Sequence, residues 1–209
     1  FAHDGLANMS SPQISWIKQV CFGCCRYYFQ LEAILNQLLH EPLPAKHADI
    51  HCLLIIGLYQ IQHLSTPHHA AVNETVAAAK NLKKIWAKGL CNKVLRKFIK
   101  KQKAIISVIN EIPQARYAHP SWLIDLLKEA WPSEWESILE QNNQHPPLFL
   151  RVNRQKTSRH EYITLLKEQG LSATASDDTT DGILLSDARP VNEIPKFNEG
   201  YCSVQDISG

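Results

Sequence analysis

The sequence predicts a mainly α fold: a helical bundle over residues 1–112, then a small α+β domain over residues 113–209. Three observations predict it. Apolar residues recur at helical spacing through the first half. One stretch near residue 50 is apolar nearly all round, as the central helix of a bundle must be. Beyond residue 145 the pattern turns to short alternating runs bounded by turn residues.

Residues 1–12 read as a loop ending at Ser11-Pro12, beside a helix start. Residues 14–39 carry Ile17, Val20, Cys21, Cys24, Tyr28, Leu31, Leu35 and Leu38 at helical spacing, with a break expected near Gly23 or around residues 29–31. Pro42 and Pro44 cannot continue that helix. Residues 48–61 form the near-continuous apolar stretch, too short to cross a bilayer and so read as the buried central helix. Gly57 there would let a neighbouring helix come close. Pro67 opens a helix over residues 68–80 at the first-turn position, where its missing N–H costs nothing. A further helix covers residues 89–110.

That last helix is the most informative element. Between Thr75 and Asn110 there is no Asp or Glu, yet there are ten cations: Lys80, Lys83, Lys84, Lys88, Lys93, Arg96, Lys97, Lys100, Lys101 and Lys103. The chain as a whole is only +2, so its positive charge is concentrated. On a helical wheel Leu90, Cys91, Val94, Leu95, Phe98, Ile99, Ile105, Ile106 and Ile109 share one half, and Lys93, Arg96, Lys97, Lys100 and Lys103 share the other. Such a helix docks on a core and offers a row of cations to solvent, for which a polyanion is the natural counterpart. An ordinary solvated face would mix signs, because mixed signs keep a protein soluble without a one-sign field.

After Ile112-Pro113 come a short helix over residues 121–130, stopped by Trp131-Pro132, and another begun by Ser133 and Glu136 at capping-box spacing. Residues 142–147 are a polar, proline-rich hinge. Strands are predicted over residues 148–153, 182–186 and 201–205, with a helix opened by the Ser158/Glu161 capping box and closed at Gly170. In the first strand Arg151 and Asn153 alternate with Leu150 and Val152, so both fall on one face. That face is either a contact for phosphate, ribose or base edges, or an ordinary solvent face with Arg151 paired to a local acid.

Composition supports a real core, with 44% hydrophobic residues. No apolar run approaches membrane-spanning length, and no signal segment opens the chain. The six cysteines are irregularly spaced within apolar helical patterns, which suits reduced thiols in a cytoplasmic protein better than a disulfide framework. Cys21, Cys24 and Cys25 have half of a zinc-site spacing with no second half, and no metal is expected. Adjacent His68 and His69 diverge by about 100° on a helix and share no chelating face, which leaves capping and partial burial as their roles. Asp177 and Asp178 sit in a polar loop. The eight glycines never lie closer than nine residues apart, so neither a dinucleotide-type loop nor a phosphate loop is present. No nucleophile with an evident base partner emerges, and no catalytic residue is expected.

Several blocks carry a family resemblance. LIIGLYQI (residues 54–61), PHHAAVNETV (67–76) and GLCNKVLRKF (89–98) resemble the conserved blocks of the NusB-like helical RNA-binding domain. RYAHPSWL (116–123), NNQHPPLFLRVNR (142–154) and GYCSVQD (200–206) resemble the segment that joins such a domain to the catalytic domain in the Fmu/Sun family of ribosomal RNA cytosine-5 methyltransferases. The resemblance covers essentially the whole chain from about residue 14. It implies a NusB-like bundle followed by a domain resembling an RNA-recognition fold. It also implies a parent protein that continues into a methyltransferase domain, which binds S-adenosylmethionine and supplies the two catalytic cysteines of the family. None of the six cysteines here matches those motifs, and the family's N-terminal helix before Cys21-Phe22-Gly23 is missing or shortened. The expected function is to bind and orient small-subunit ribosomal RNA for that catalytic domain, in a monomer away from membranes. The candidate RNA contacts are Lys93, Arg96, Lys97, Lys100, Lys101, Arg26, Arg151, Asn153 and Arg154. The alternatives are a stand-alone antitermination-type adaptor binding RNA and a protein, and a structural domain with an incidental basic face.

Overall fold

The computed structural model describes residues 9–186 and 189–206; most of the loop expected over residues 1–12 lies outside them. The chain divides into two compact units, Phe1–Asn143 and Gln144–Gly209. The helical lead-in that the sequence reading grouped with the α+β domain therefore packs with the helices before it.

The first unit is α1 (Ser11–Arg26), α2 (Tyr28–Leu38), α3 (Ala48–His63), α4 (His68–Asn81), α5 (Ala87–Ile109), α6 (Pro113–Tyr117), α7 (Ser121–Ala130) and α8 (Trp135–Asn142). Its core is built on α3, where Ile50, Leu54 and Leu58 have no accessible surface. Gly57 lets two neighbours in: a Cβ there would lie 2.9 Å from both Leu95 Cδ1 and Thr75 Oγ1, on α5 and α4. The break between α1 and α2 falls at Tyr27, not at Gly23 or residues 29–31. Tyr27 stacks on His63 at 3.9 Å, and its hydroxyl donates to Asn143 O at 3.3 Å. Gly23 stays helical and buried, because a Cβ there would sit 2.0 Å from the Tyr59 ring. Close packing, not a kink, is what that glycine serves.

Other expectations shift locally. Pro67 is the residue before α4 rather than in its first turn, and His68 and His69 are exposed, not partly buried. The Ser133/Glu136 capping box does not form; Glu134 precedes α8, and Glu136 Oε1 instead accepts the Tyr117 hydroxyl at 2.6 Å. α4 ends in a Schellman turn without glycine: Lys84 N donates to Ala79 O, Lys83 N to Lys80 O, and Lys83 takes the left-handed conformation at φ 58°.

The blocks RYAHPSWL and NNQHPP meet. His119 is buried, its Nδ1–H donating to Tyr117 O at 2.5 Å and its Nε2 accepting from Asn142 Nδ2 at 2.7 Å. Asn143 Nδ2 donates to the same Tyr117 carbonyl at 2.7 Å. Such a satisfied polar cluster fixes one arrangement of α6 and α8.

The second unit is β1 (Leu148–Val152), α9 (Arg159–Glu168), β2 (Ala173–Ala175), β3 (Gly182–Leu185) and β4 (Cys202–Val204). Its strands form one antiparallel sheet of order β2-β3-β1-β4. β1 and β2 flank β3 and are joined through α9, a split βαβ arrangement. β2 is an edge strand of Ala-Thr-Ala, too short and too poor in β-branched residues to signal itself. Leu150 and Val152 face the core with Tyr162 and Leu166 of α9, as alternation predicts. The Ser158/Glu161 capping box forms, with Ser158 N donating to Glu161 Oε2 at 2.9 Å.

Candidate nucleic-acid interface

Helix α5 separates its faces as its sequence dictates. Cys91, Val94, Leu95, Phe98, Ile105 and Ile109 are buried, and Leu90, Ile99 and Ile106 pack against the same core. Lys93, Arg96, Lys100, Lys101 and Lys103 are exposed. The aliphatic half is tied to α2 and α4, so the cations stand in fixed register along a rigid rod, about one turn apart from Lys93 through Arg96 to Lys100. Arg96 Nε donates to Asn92 Oδ1 at 2.8 Å, which leaves the outer guanidinium nitrogens available. Lys97 differs: it is half-buried, and its Nζ donates to Leu38 O at 3.1 Å, closing the carboxyl end of α2. Arg26 is exposed in the last turn of α1.

In the second unit, Arg151 is exposed on the sheet face opposite Leu150 and Val152, and its Nη1 donates to Gln205 Oε1 at 3.3 Å. Asn153 lies just beyond β1. Its Nδ2 donates to Gly200 O at 2.9 Å, and its Oδ1 accepts from Gln155 N at 3.1 Å, so the amide closes a turn and clamps the start of β4. Arg154 Nε lies 2.5 Å from Asp181 Oδ1, a charge contact outside good hydrogen-bond alignment. Arg151, Asn153, Arg154, Asp181, Gly200 and Gln205 line an open cavity of about 510 Å³.

Burial disfavours the thiolate at three of the cysteines. Burial pushes the Cys24 thiol up to about 12 and the Cys91 thiol up to about 11. Cys202 is also raised by burial, beside the Tyr162 hydroxyl at 3.0 Å. An attacking cysteine needs the opposite shift. Among the described residues no group of three or more His, Cys, Asp or Glu side chains could hold a metal ion. No described helix is long and apolar enough to cross a membrane.

Sequence comparison agrees with this architecture. The model of the NusB family matches residues 3–100, and that of the "Methyltr_RsmF/B-like, ferredoxin-like domain" matches residues 119–192. The chain is 46% identical over 204 residues to a probable ribosomal RNA small subunit methyltransferase B of Coxiella burnetii, covering 98% of this chain and 47% of that protein. Proteins named ribosomal RNA small subunit methyltransferase B from Pseudomonas putida and Klebsiella pneumoniae are 44% and 42% identical, covering 90% and 96% of this chain and 43% and 46% of theirs. The chain thus spans just under half the length of these relatives. The crystal structure of PH0851 superimposes with a TM-score of 0.64 at 16% identity, covering 95% of this chain and 46% of that one, a likeness of fold. The chain thus matches the NusB family model over most of its first unit's main helices and the RsmF/B-like ferredoxin-like domain model after them, and is similar along nearly its whole length to proteins named ribosomal RNA small subunit methyltransferase B.

Proposed function

We propose that this chain is the RNA-binding portion of an S-adenosylmethionine-dependent methyltransferase that forms 5-methylcytosine in small-subunit ribosomal RNA, gripping and orienting the RNA for a catalytic domain of the parent protein. The observation that carries the reading is the acid-free cationic row Lys93, Arg96, Lys100 and Lys101 on α5, exposed and in fixed register on a NusB-family bundle. The reading adds Arg26 and the exposed Arg151 as further phosphate contacts, and gives Lys97, Asn153 and Arg154 roles that are at least partly structural. It assigns methyl transfer elsewhere. Among the described residues the sheet is antiparallel throughout, and the eight glycines lie at least nine residues apart, so the residues present do not fit a Rossmann-type S-adenosylmethionine site, which uses a glycine-rich turn on a parallel sheet. An antitermination-type adaptor is the second reading, favoured by the NusB match over residues 3–100 and disfavoured by the ferredoxin-like unit that follows it.

The test is RNA affinity of the 209-residue chain as a function of salt. Phosphate contacts release counterions, so log affinity should fall steeply with log salt, and each lost contact should flatten the slope by roughly 0.7–0.9. The variant Lys93→Ala/Arg96→Ala/Lys100→Ala should weaken binding and flatten the slope while its helical circular dichroism stays intact. An unchanged affinity would return α5 to an ordinary solvated face. Calorimetry with S-adenosylmethionine on the same chain should give no saturable heat.

A further inference from the structure

The connection between α4 and α5 carries a second cluster, outside the cationic row. Leu82, Ile85 and Trp86 are 44%, 68% and 52% exposed, an unusual run of large apolar side chains left to water. They are interleaved with Lys80, Lys83 and Lys88, all exposed. Lys84 ties the segment to the start of α3: its Nζ donates to Asp49 Oδ1 at 2.8 Å and to Lys46 O at 3.3 Å, and lies 3.4 Å from His47 Nδ1. That staple brings in Lys46, also exposed, from far away in sequence. It also consumes the acid facing the cluster, since the Lys84 hydrogen bond holds the Asp49 carboxyl below its usual range. Trp86 rests against the His47 ring at 4.7 Å between centroids, so the indole is held in place with about half its surface open.

We propose that Trp86 is a stacking platform for an unpaired RNA base, with Lys46, Lys80, Lys83 and Lys88 taking the flanking phosphates. The proposal rests on the RNA-binding reading above and sharpens it, because it makes this end of the bundle selective for single-stranded RNA. Charge complementarity selects the occupant. An apolar protein partner would leave four lysine charges to be desolvated or paired, whereas a single strand offers a flat π face for the indole and flanking phosphates for the lysines. A double helix buries its base faces and offers nothing to the indole. The cationic row of α5 reads phosphate alone, so the two sites respond differently to the form of the RNA.

Two fluorescein-labelled probes on the 209-residue chain decide it: a single-stranded RNA 12-mer and a duplex RNA of equal length. Trp86→Ala should weaken single-strand binding by roughly 5- to 150-fold, the alanine-substitution range for one base stack, and leave duplex binding and the salt slope unchanged. Trp86→Tyr should recover most of the loss, because it restores a π face. Lys83→Ala/Lys88→Ala, which changes two exposed side chains, should flatten the single-strand slope by about 0.7 per lysine. The proposal is overturned if Trp86→Ala and Lys83→Ala/Lys88→Ala both bind the single strand as the parent chain does while the α5 triple variant is weakened. That result would make the cluster a protein-docking surface. Failure of the unaltered chain to bind either probe would overturn the RNA-binding reading itself.

Discussion

The two units treat their polar residues in opposite ways. In the first, α5 buries its aliphatic half and lets Lys93, Arg96, Lys100 and Lys101 project into solvent. In the second, the polar residues at the end of β1 bond their own chain while Arg151 and Arg154 stay exposed: Asn153 to Gly200 and Gln155, Arg154 to Asp181, Arg151 to Gln205. A helix displays long side chains radially, with nothing beside them but the next turn. A small sheet must close its turns and hold its edges, and short polar residues near strand ends are recruited to do so. An Arg or Asn near a strand end is therefore weaker support for a ligand contact than the same residue on a helix face with a buried opposite side.

The largest test of this contrast lies within β1. Leu150 is 1% exposed and packs in the α9 core, so Leu150→Ala should destabilise the second unit by about 2–5 kcal/mol. Arg151→Ala, one residue on and facing the other way, should change stability by no more than about 1 kcal/mol. Hydrogen exchange of the β1 and α9 amides measures both. Equal losses in the two variants would mean that the faces of the strand do not divide core from solvent.

Acid should separate the units next. His63 of α3 stacks on Tyr27 and Tyr59, and its Nε2 sits 2.8 Å from Gln30 Oε1. Burial lowers its pKa from 6.5 to about 4. The unfolded chain takes up this proton before the folded one does, so the contribution is complete above pH 6.5 and is lost as the pH falls from 6.5 towards 4. Allowing for partial exposure, the loss should be on the order of 1–3 kcal/mol. In the second unit the Glu161 carboxyl is held below its ordinary value by the Ser158 backbone and hydroxyl, so its contribution is present at neutral pH and is lost only as the pH falls through that lowered value. Urea unfolding followed by helical circular dichroism at pH 7 and pH 5 should show the loss, and His63→Gln should abolish the difference. A pH-independent midpoint would show that the imidazole is not desolvated.

The smallest effect is expected at Arg154. Its contact with Asp181 is two-thirds exposed on the arginine side, so Arg154→Ala should move stability by about 0–1 kcal/mol and leave the RNA salt slope unaltered. A slope flattened by about 0.7 would place Arg154 among the phosphate contacts and narrow the contrast between the units.

Much of the fold was legible because it follows from local pattern. The all-apolar stretch became α3, the wheel of α5 divided as drawn except at Lys97, and the Ser158/Glu161 box opened α9, each from periodicity or a fixed offset along the chain. The blocks behind the family resemblance were legible too, but not their work: His119, Asn142 and Asn143 turn out to be a buried hydrogen-bond cluster joining α6 to α8. What stayed hidden depended on partners distant in sequence. The helix break at Tyr27 is set by His63 and Asn143, and Gly23 looked like a kink until Tyr59 filled the space above it. Lys97 read as one more cation on the wheel, since no spacing rule reports that the carboxyl end of α2 lies against it. The same holds for Trp86, an unremarked tryptophan in a basic turn until the Lys84–Asp49 staple gathered His47 and Lys46 around it. Sequence by itself determined which helix faces are apolar and where charge accumulates, because both are properties of neighbouring residues on one element. Only the tertiary structure decided which cations remain free for a ligand, because that depends on which unsatisfied carbonyls and carboxylates the fold brings within reach of each one.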